Sequence, residues 1–237
     1  MYEPKYEVVG VTHDLTSIED LDSEPDLVAF QINQADCPIE QLQRYDGSIP
    51  LILSWNSSET AETKSSFDNR TITEAAEYNF VEYIDLNINL LEESNALRDQ
   101  IESIDAKTIV SCYYPDKTPS EGEILSQIKE CEDLGQVTKI ISYASDRVDA
   151  LNFLTALSTG SQSGYAVAGY CRGTSGKYTR IISILHGSKF CYGTIGGAVG
   201  DDDTSDISLD YLIEMLDTVV HGADDVELMD VLKGKFS

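Results

Sequence analysis

Short apolar, β-branched runs recur along the chain, each followed by a polar stretch with helical spacing. Strand candidates fall at residues 7–12, 27–32, 50–54 and 82–86, then at 108–112, 137–141, 165–168 and 190–193. Strands that alternate with helices imply βαβ units and a parallel sheet. The helices are clearest in the second half. Thr118-Pro119-Ser120-Glu121 reads as a capping box with proline at the first helical position, ahead of a stripe of Ile124, Leu125, Ile128 and Leu134 that Gly135 stops. Ser145 opens the next, with Val148, Leu151, Leu154 and Leu157 on one face and Gly160 beyond it. Ser208 opens the last, carrying Leu209, Leu212, Ile213, Leu216 and Val220 before Gly222. Weaker helical patterns lie near residues 39–44, 72–78 and 91–104, and a polar loop near residues 57–69.

Eight strands and about eight helices over residues 1–237 fit a single-domain α/β fold, a (β/α)8 barrel of the TIM type. The alternative is an open doubly wound sheet, but no G-x-G-x-x-G follows the first strand and the sequence holds no P-loop. No internal repeat and no proline- or glycine-rich linker divides the chain. In a barrel, reactive groups sit at the carboxyl ends of the strands. Lys139, in the sixth strand, and Ser111-Cys112-Tyr113, after the fifth, would then face one mouth.

Lys139 stands out because it interrupts an otherwise apolar run, Gln136-Val137-Thr138-Lys139-Ile140-Ile141-Ser142. Side chains alternate along a strand, so Val137, Lys139 and Ile141 share a face. If helices cover the sheet, neither face meets bulk water, and the ammonium must find a partner, reach a cleft or lose part of its charge. A desolvated lysine of lowered pKa is a good nucleophile toward a ketone. The plainer alternative is a lysine at a strand end, held in solvent.

Composition narrows the partners. Forty-two acidic residues against 16 basic give a formal charge of -26, and 41% of residues are hydrophobic. That balance supports a globular core and disfavours nucleic acid or anionic lipid as partners. The acidic blocks Ile18-Glu19-Asp20 and Asp201-Asp202-Asp203 lie between apolar segments, as a solvated surface would, and suggest a cytosol of high salt that screens self-repulsion. Cys37, Cys112, Cys131, Cys171 and Cys191 form no C-x-x-C pair and read as reduced thiols. His13, His186 and His221 share no ligand spacing, so neither metal nor cofactor is expected. With no apolar signal core after Met1 and no membrane-spanning run, the expected location is cytoplasmic, without membrane attachment.

Several segments together resemble one family. Thr108-Ile-Val-Ser-Cys-Tyr-Tyr-Pro-Asp-Lys-Thr-Pro119 is similar to the V-S-x-H-D-F-x-x-T-P segment of type I 3-dehydroquinate dehydratases. Val137-Thr-Lys-Ile resembles that family's Schiff-base strand, and Gly173-Thr-Ser-Gly-Lys-Tyr-Thr-Arg180 its glycine-containing loop leading to a substrate-binding arginine. Tyr45-Asp-Gly-Ser-Ile-Pro-Leu51 and the order of segments also fit, and the acidic composition is similar to a haloarchaeal branch. The resemblance implies a lyase of the shikimate pathway, in aromatic amino acid biosynthesis. A lysine amine would condense with the ketone of 3-dehydroquinate, and the iminium would act as electron sink while a histidine moves the proton, giving 3-dehydroshikimate. Lys139 maps onto that lysine and Arg180 onto the arginine that holds the substrate carboxylate, a role a bidentate guanidinium suits. A surface salt bridge is the other reading of Arg180. The family also suggests a homodimer.

The rest of the site departs from the pattern. Tyr113 stands at the position of the histidine and Tyr114 at that of the following aspartate. An acid-x-arginine motif becomes Ala29-Phe30-Gln31, an arginine becomes Asn56 with its glutamate near Glu59-Thr60, and a serine–glutamine pair falls near Asp202 and Asp206. Tyr113 could act as the acid–base group only if a cation such as Lys139 lowered its pKa from about 10; otherwise it is an aromatic packed at a strand end. Three readings follow: a divergent 3-dehydroquinate dehydratase, a Schiff-base aldolase or lyase with another carbonyl substrate, or a non-catalytic homologue that binds or scaffolds.

Overall fold

The computed structural model describes residues 5–19, 21–55, 69–196 and 207–220. Eight strands are assigned: β1 (Glu7–Thr12), β2 (Leu27–Gln31), β3 (Leu51–Ser54), β4 (Val81–Asn87), β5 (Lys107–Tyr114), β6 (Val137–Tyr143), β7 (Val167–Arg172) and β8 (Phe190–Thr194). Each sits where an apolar run falls in the sequence. All the ladders are parallel, and the strand order is β7-β6-β5-β4-β3-β2-β1-β8. Between β7 and β8 the ring is held by a single bridge, Val167 to Ser188, and by the Lys189 amide donating to the Val167 carbonyl at 2.7 Å. The result is a nearly closed (β/α)8 barrel.

Because the side chains alternate, each strand splits between two apolar bodies. Val9, Leu27, Ile52, Tyr83, Ile109, Val137, Ala168 and Phe190 fill the ring. Val28, Leu53, Ile84, Val110, Ile140 and Val167 face the surrounding helices. The Tyr83 and Phe190 rings meet edge to face at 5.4 Å in the interior. Cys112, between Ser111 and Tyr113, belongs to the outer body and so does not share their mouth.

The described helices are α1 (Pro38–Arg44), α2 (Asn69–Ala75), α3 (Ile88–Glu93), α4 (Asn95–Glu102), α5 (Glu121–Cys131), α6 (Arg147–Gln162), α7 (Thr179–Ile182) and α8 (Leu209–Val220). Local chemistry sets their ends, sometimes one or two residues from where the sequence pattern suggests. Ser120 is the N-cap of α5, and its capping box closes with Glu123, so Pro119 precedes the cap instead of opening the helix. Asp146, not Ser145, caps α6 by accepting from the Val148 and Asp149 amides. The segment 91–104 is two helices, because the Ser94 hydroxyl accepts from the Leu97 amide and starts a new one.

The face of α6 also differs from expectation. Ala150, Phe153, Leu154, Ala156 and Leu157 are buried, and so is Gly160, within the helix. Val148 is 61% exposed and Leu151 58%. Small residues bring this helix close to α5: a Cβ on Gly160 would lie 3.0 Å from the Ile128 side chain. A stripe chosen by side-chain size therefore finds Leu154 and Leu157 but takes in Val148 and Leu151 and misses the small residues that complete the buried face.

Strand β7 continues through Gly169, whose φ of +144° is open to glycine but rarely to other residues. A Cβ there would sit 1.9 Å from the Ile140 carbonyl oxygen, inside the β6–β7 ladder. Gly169→Ala is expected to lower unfolding free energy by about 3 kcal/mol or more, measured by urea denaturation. A loss below about 1 kcal/mol would show that the ladder can yield there.

Candidate active site

The inward positions at the carboxyl ends of the strands surround a cavity of about 50 Å³. Its polar lining is Gln31 of β2, Ser54 of β3, Asp85 of β4 and Lys139 of β6. Tyr113, Tyr170 and Tyr192 form an aromatic collar, and Val11, Ala29 and Ile141 complete the wall. Lys139 is therefore not a solvent-facing lysine at a strand end; only 5% of it is exposed.

The amine has a partner that the sequence reading did not single out. Lys139 Nζ donates to the Asp85 carboxylate, and Asp85 is itself 2% exposed. Asp85 also accepts from Ser111 Oγ and, at 3.2 Å, from Ser54 Oγ. Register builds this cluster, since Ser111 on β5 pairs laterally with Lys139 and with Asn87, two residues along β4 from Asp85. The signal was present in the sequence: Asp85 is a carboxylate amid apolar Tyr83-Ile84-Asp85-Leu86, on the face it shares with Tyr83.

Of the outcomes open to a buried ammonium, this arrangement realises the first, a partner, and not the loss of charge. Burial alone would lower the Lys139 pKa, but the Asp85 carboxylate, with smaller help from Tyr113 and Tyr192, holds it well above its ordinary value. The resting amine is an ammonium, and it becomes nucleophilic only after losing its proton. Tyr113 shifts against its expected role. Its ring lies 5.9 Å from Nζ, but burial pushes its hydroxyl up to about 12, outweighing the downward pull of Lys139. Near neutral pH it is a hydrogen-bond donor and not a base.

Arg180 is 3% exposed and does not line the cavity. Its guanidinium rests 3.7 Å from the centre of the Tyr170 ring, and its Nη1 donates to the Tyr192 carbonyl at 3.2 Å. Tyr170, which does line the cavity, carries the arginine on its face. Gln31 reaches the mouth, whereas Asn56, Glu59, Thr60, Asp202 and Asp206 lie outside the described residues. Among the described residues no group of three His, Cys, Asp or Glu side chains could hold a metal ion, and no helix is long and apolar enough to cross a membrane.

A nearly closed parallel barrel with an ion-paired lysine buried at the carboxyl-end mouth defines a (β/α)8 barrel of the TIM type. The family model for type I 3-dehydroquinase matches residues 11–222, and the chain belongs to that family. A 3-dehydroquinate dehydratase of Haloarcula marismortui is 28% identical over 199 residues, 78% of this chain and 86% of that protein. The fold is shared with the 3-dehydroquinate dehydratase of Geobacillus kaustophilus, with TM-score 0.75, 16% identity and 93% of both chains covered. It is also shared with the type I enzyme of Clostridium difficile, solved with covalent modified comenic acid, at TM-score 0.74 and 18% identity, covering 93% of this chain and 94% of that one.

The protonation pattern predicts an alkaline limit to stability. Lys139 has a folded pKa above its ordinary 10.5, so its contribution is complete below that value and fades as pH rises through the folded one. Tyr113, raised from 10.0 to about 12, adds loss of the same sign across that interval. Unfolding free energy should therefore fall above about pH 10. Asp85→Asn should cost about 3–5 kcal/mol at neutral pH and flatten the alkaline decline. Urea unfolding of both proteins between pH 7 and 11 checks this, and equal alkaline slopes would refute the pairing as its source.

Proposed function

We propose that this protein is a Schiff-base lyase of the shikimate pathway that dehydrates 3-dehydroquinate to 3-dehydroshikimate through an imine on Lys139. The observation that carries the reading is the Lys139 amine, enclosed by the barrel and bordering a cavity beside a carboxylate that can take its proton. Family membership supplies the substrate class. The acidic surface and the haloarchaeal relative favour work in a cytosol of high salt.

In this reading Asp85 accepts the ammonium proton, and the freed amine adds to the ketone carbon. Asp85 returns the proton to the carbinolamine oxygen, which leaves as water, and the carboxylate then faces the iminium. Because Asp85 is the carboxylate that lines the cavity among the described residues, it serves in this reading as the base that takes the proton from the carbon beside the iminium. The electron pair moves to nitrogen and back as the β-hydroxyl departs, protonated by Asp85 and oriented by a hydrogen bond from Tyr113. Water hydrolyses the product iminium and regenerates the amine. Arg180 meets the substrate carboxylate when Tyr170 turns aside.

A second reading, a catalytically impaired homologue that binds or scaffolds, is favoured by one specific observation. A cavity of about 50 Å³ is far below the ~300–1,000 Å³ of ordinary ligand pockets. Three tyrosines occupy the mouth, and the arginine that would hold the carboxylate is packed against one of them.

The two readings are separated by incubating the protein with 3-dehydroquinate, following the absorbance of the conjugated enone and trapping the imine with borohydride. The dehydratase gives enone and a reduced adduct on the peptide containing Lys139, and Lys139→Met abolishes both. Absence of enone and adduct in the wild type would exclude the lyase. Tyr170→Ala enlarges the mouth. It should raise adduct yield about tenfold or more if Tyr170 blocks access to Arg180, and leave it unchanged if substrate already reaches the amine.

A further inference from the structure

Tyr192 carries a group that its packing does not use. Its ring faces Lys139 Nζ at 5.5 Å, lies 6.0 Å from Phe190 and 6.4 Å from Tyr170, and is 5% exposed. A phenylalanine would make each of those ring contacts equally well. The hydroxyl is what tyrosine adds, and among the described residues that buried oxygen has no hydrogen-bond partner. Buried hydroxyls without partners are disfavoured, so a fold that keeps one beside a cavity has a use for it. Tyr192 borders the same cavity as the amine and the Asp85 carboxylate.

We propose that the Tyr192 hydroxyl is a ligand-binding group, donating a hydrogen bond to an oxygen of the carbonyl compound that enters beside Lys139. This deepens, and rests on, the reading of Lys139 as an imine-forming amine. Asp85 accepts from Lys139, Ser111 and Ser54 and not from the Tyr192 hydroxyl, which leaves the phenol proton for a ligand. Burial pushes the Tyr192 pKa upward more than Lys139 lowers it, and the hydroxyl therefore stays a donor. A donor at this point selects ligands with an acceptor oxygen next to the reactive carbonyl, as in a 2-oxo acid or a hydroxyketone, and disfavours simple ketones. Tyr192 is thus a specificity-determining residue, and it binds without changing its own protonation.

The test uses two measurements on the full chain. Glyoxylate, small and carrying both an aldehyde and a carboxylate, is titrated in the presence of cyanoborohydride, and the Lys139 adduct is quantified by peptide mass. Tyr192→Phe should raise the half-saturating concentration about tenfold, the scale of one lost hydrogen bond, with the maximal adduct yield unchanged. Ser183→Ala removes another buried hydroxyl that has no bond among the described residues and does not line the cavity; it should leave the titration as in the wild type. Without ligand, Tyr192→Phe should unfold at the same temperature as the wild type or higher, since no protein bond is lost. Equal half-saturation in wild type and Tyr192→Phe overturns the proposal, as does a wild type that forms no glyoxylate adduct. A lower melting point for unliganded Tyr192→Phe also overturns it, by revealing a protein partner. Failure of 3-dehydroquinate to yield enone, with these glyoxylate results intact, would remove the dehydratase reading and leave Tyr192 as assigned.

Discussion

The ion pair between Lys139 and Asp85 is the constraint on which this barrel turns. Each charge alone inside a ring of apolar side chains would carry a penalty of several kcal/mol. Together, with Ser54 and Ser111 donating to the same carboxylate, they form a locally satisfied polar cluster. The cluster exists only if β4, β5 and β6 keep their register. A slip of one residue in β6 would turn Lys139 into the helix layer and bring Ile140 inward, inverting both apolar bodies at once. The pair therefore selects one register as much as it stabilises it, and the same selection places the amine at the mouth.

Much of the fold was legible because local chemistry and global packing agree. The apolar runs coincide with the eight strands, since a parallel strand buried on both faces must be apolar on both. The start of α5 was legible to within two residues, the box read at Thr118-Pro119-Ser120-Glu121 closing instead between Ser120 and Glu123. The face of α6 was legible only in part, at Leu154 and Leu157, because the rest of it is buried through Ala150, Ala156 and Gly160, residues with little hydrophobic signal, while Val148 and Leu151 point to solvent. The continuous segment 91–104 broke because a serine at an internal position offered a better local bond than another helical turn.

The site divides along the same line. Lys139 was visible as a charge in an apolar run, a one-dimensional signal. Asp85 sends the same signal, but its meaning depends on a partner 54 positions away, and only the register reveals that the two share a face and a height. Tyr170 and Tyr192 look like ordinary strand aromatics until the ring closes and points them at one cavity. Arg180 was singled out by resemblance and does not line the cavity, and the physics of the sequence could not foresee that a tyrosine ring would lie against its guanidinium.

In the proposed lyase, Tyr113 stands where the family resemblance implies a histidine, and this changes where acid–base work can be done. With its hydroxyl pushed up to about 12, Tyr113 holds its proton throughout the physiological range, so the proposed mechanism gives proton movement to the carboxylate already bonded to the amine. The two tasks of Asp85 oppose each other. As a counterion it keeps Lys139 charged; as the base of the proposed mechanism it must discharge that ammonium before any carbon–nitrogen bond forms. Desolvation narrows the gap between the charged pair and its neutral tautomer, because an enclosed site disfavours both charges while the transferred proton stays within one hydrogen bond. A closed, narrow mouth would therefore serve the proposed chemistry at the amine while restricting entry of its substrate. The three tyrosines of the collar are where those demands meet.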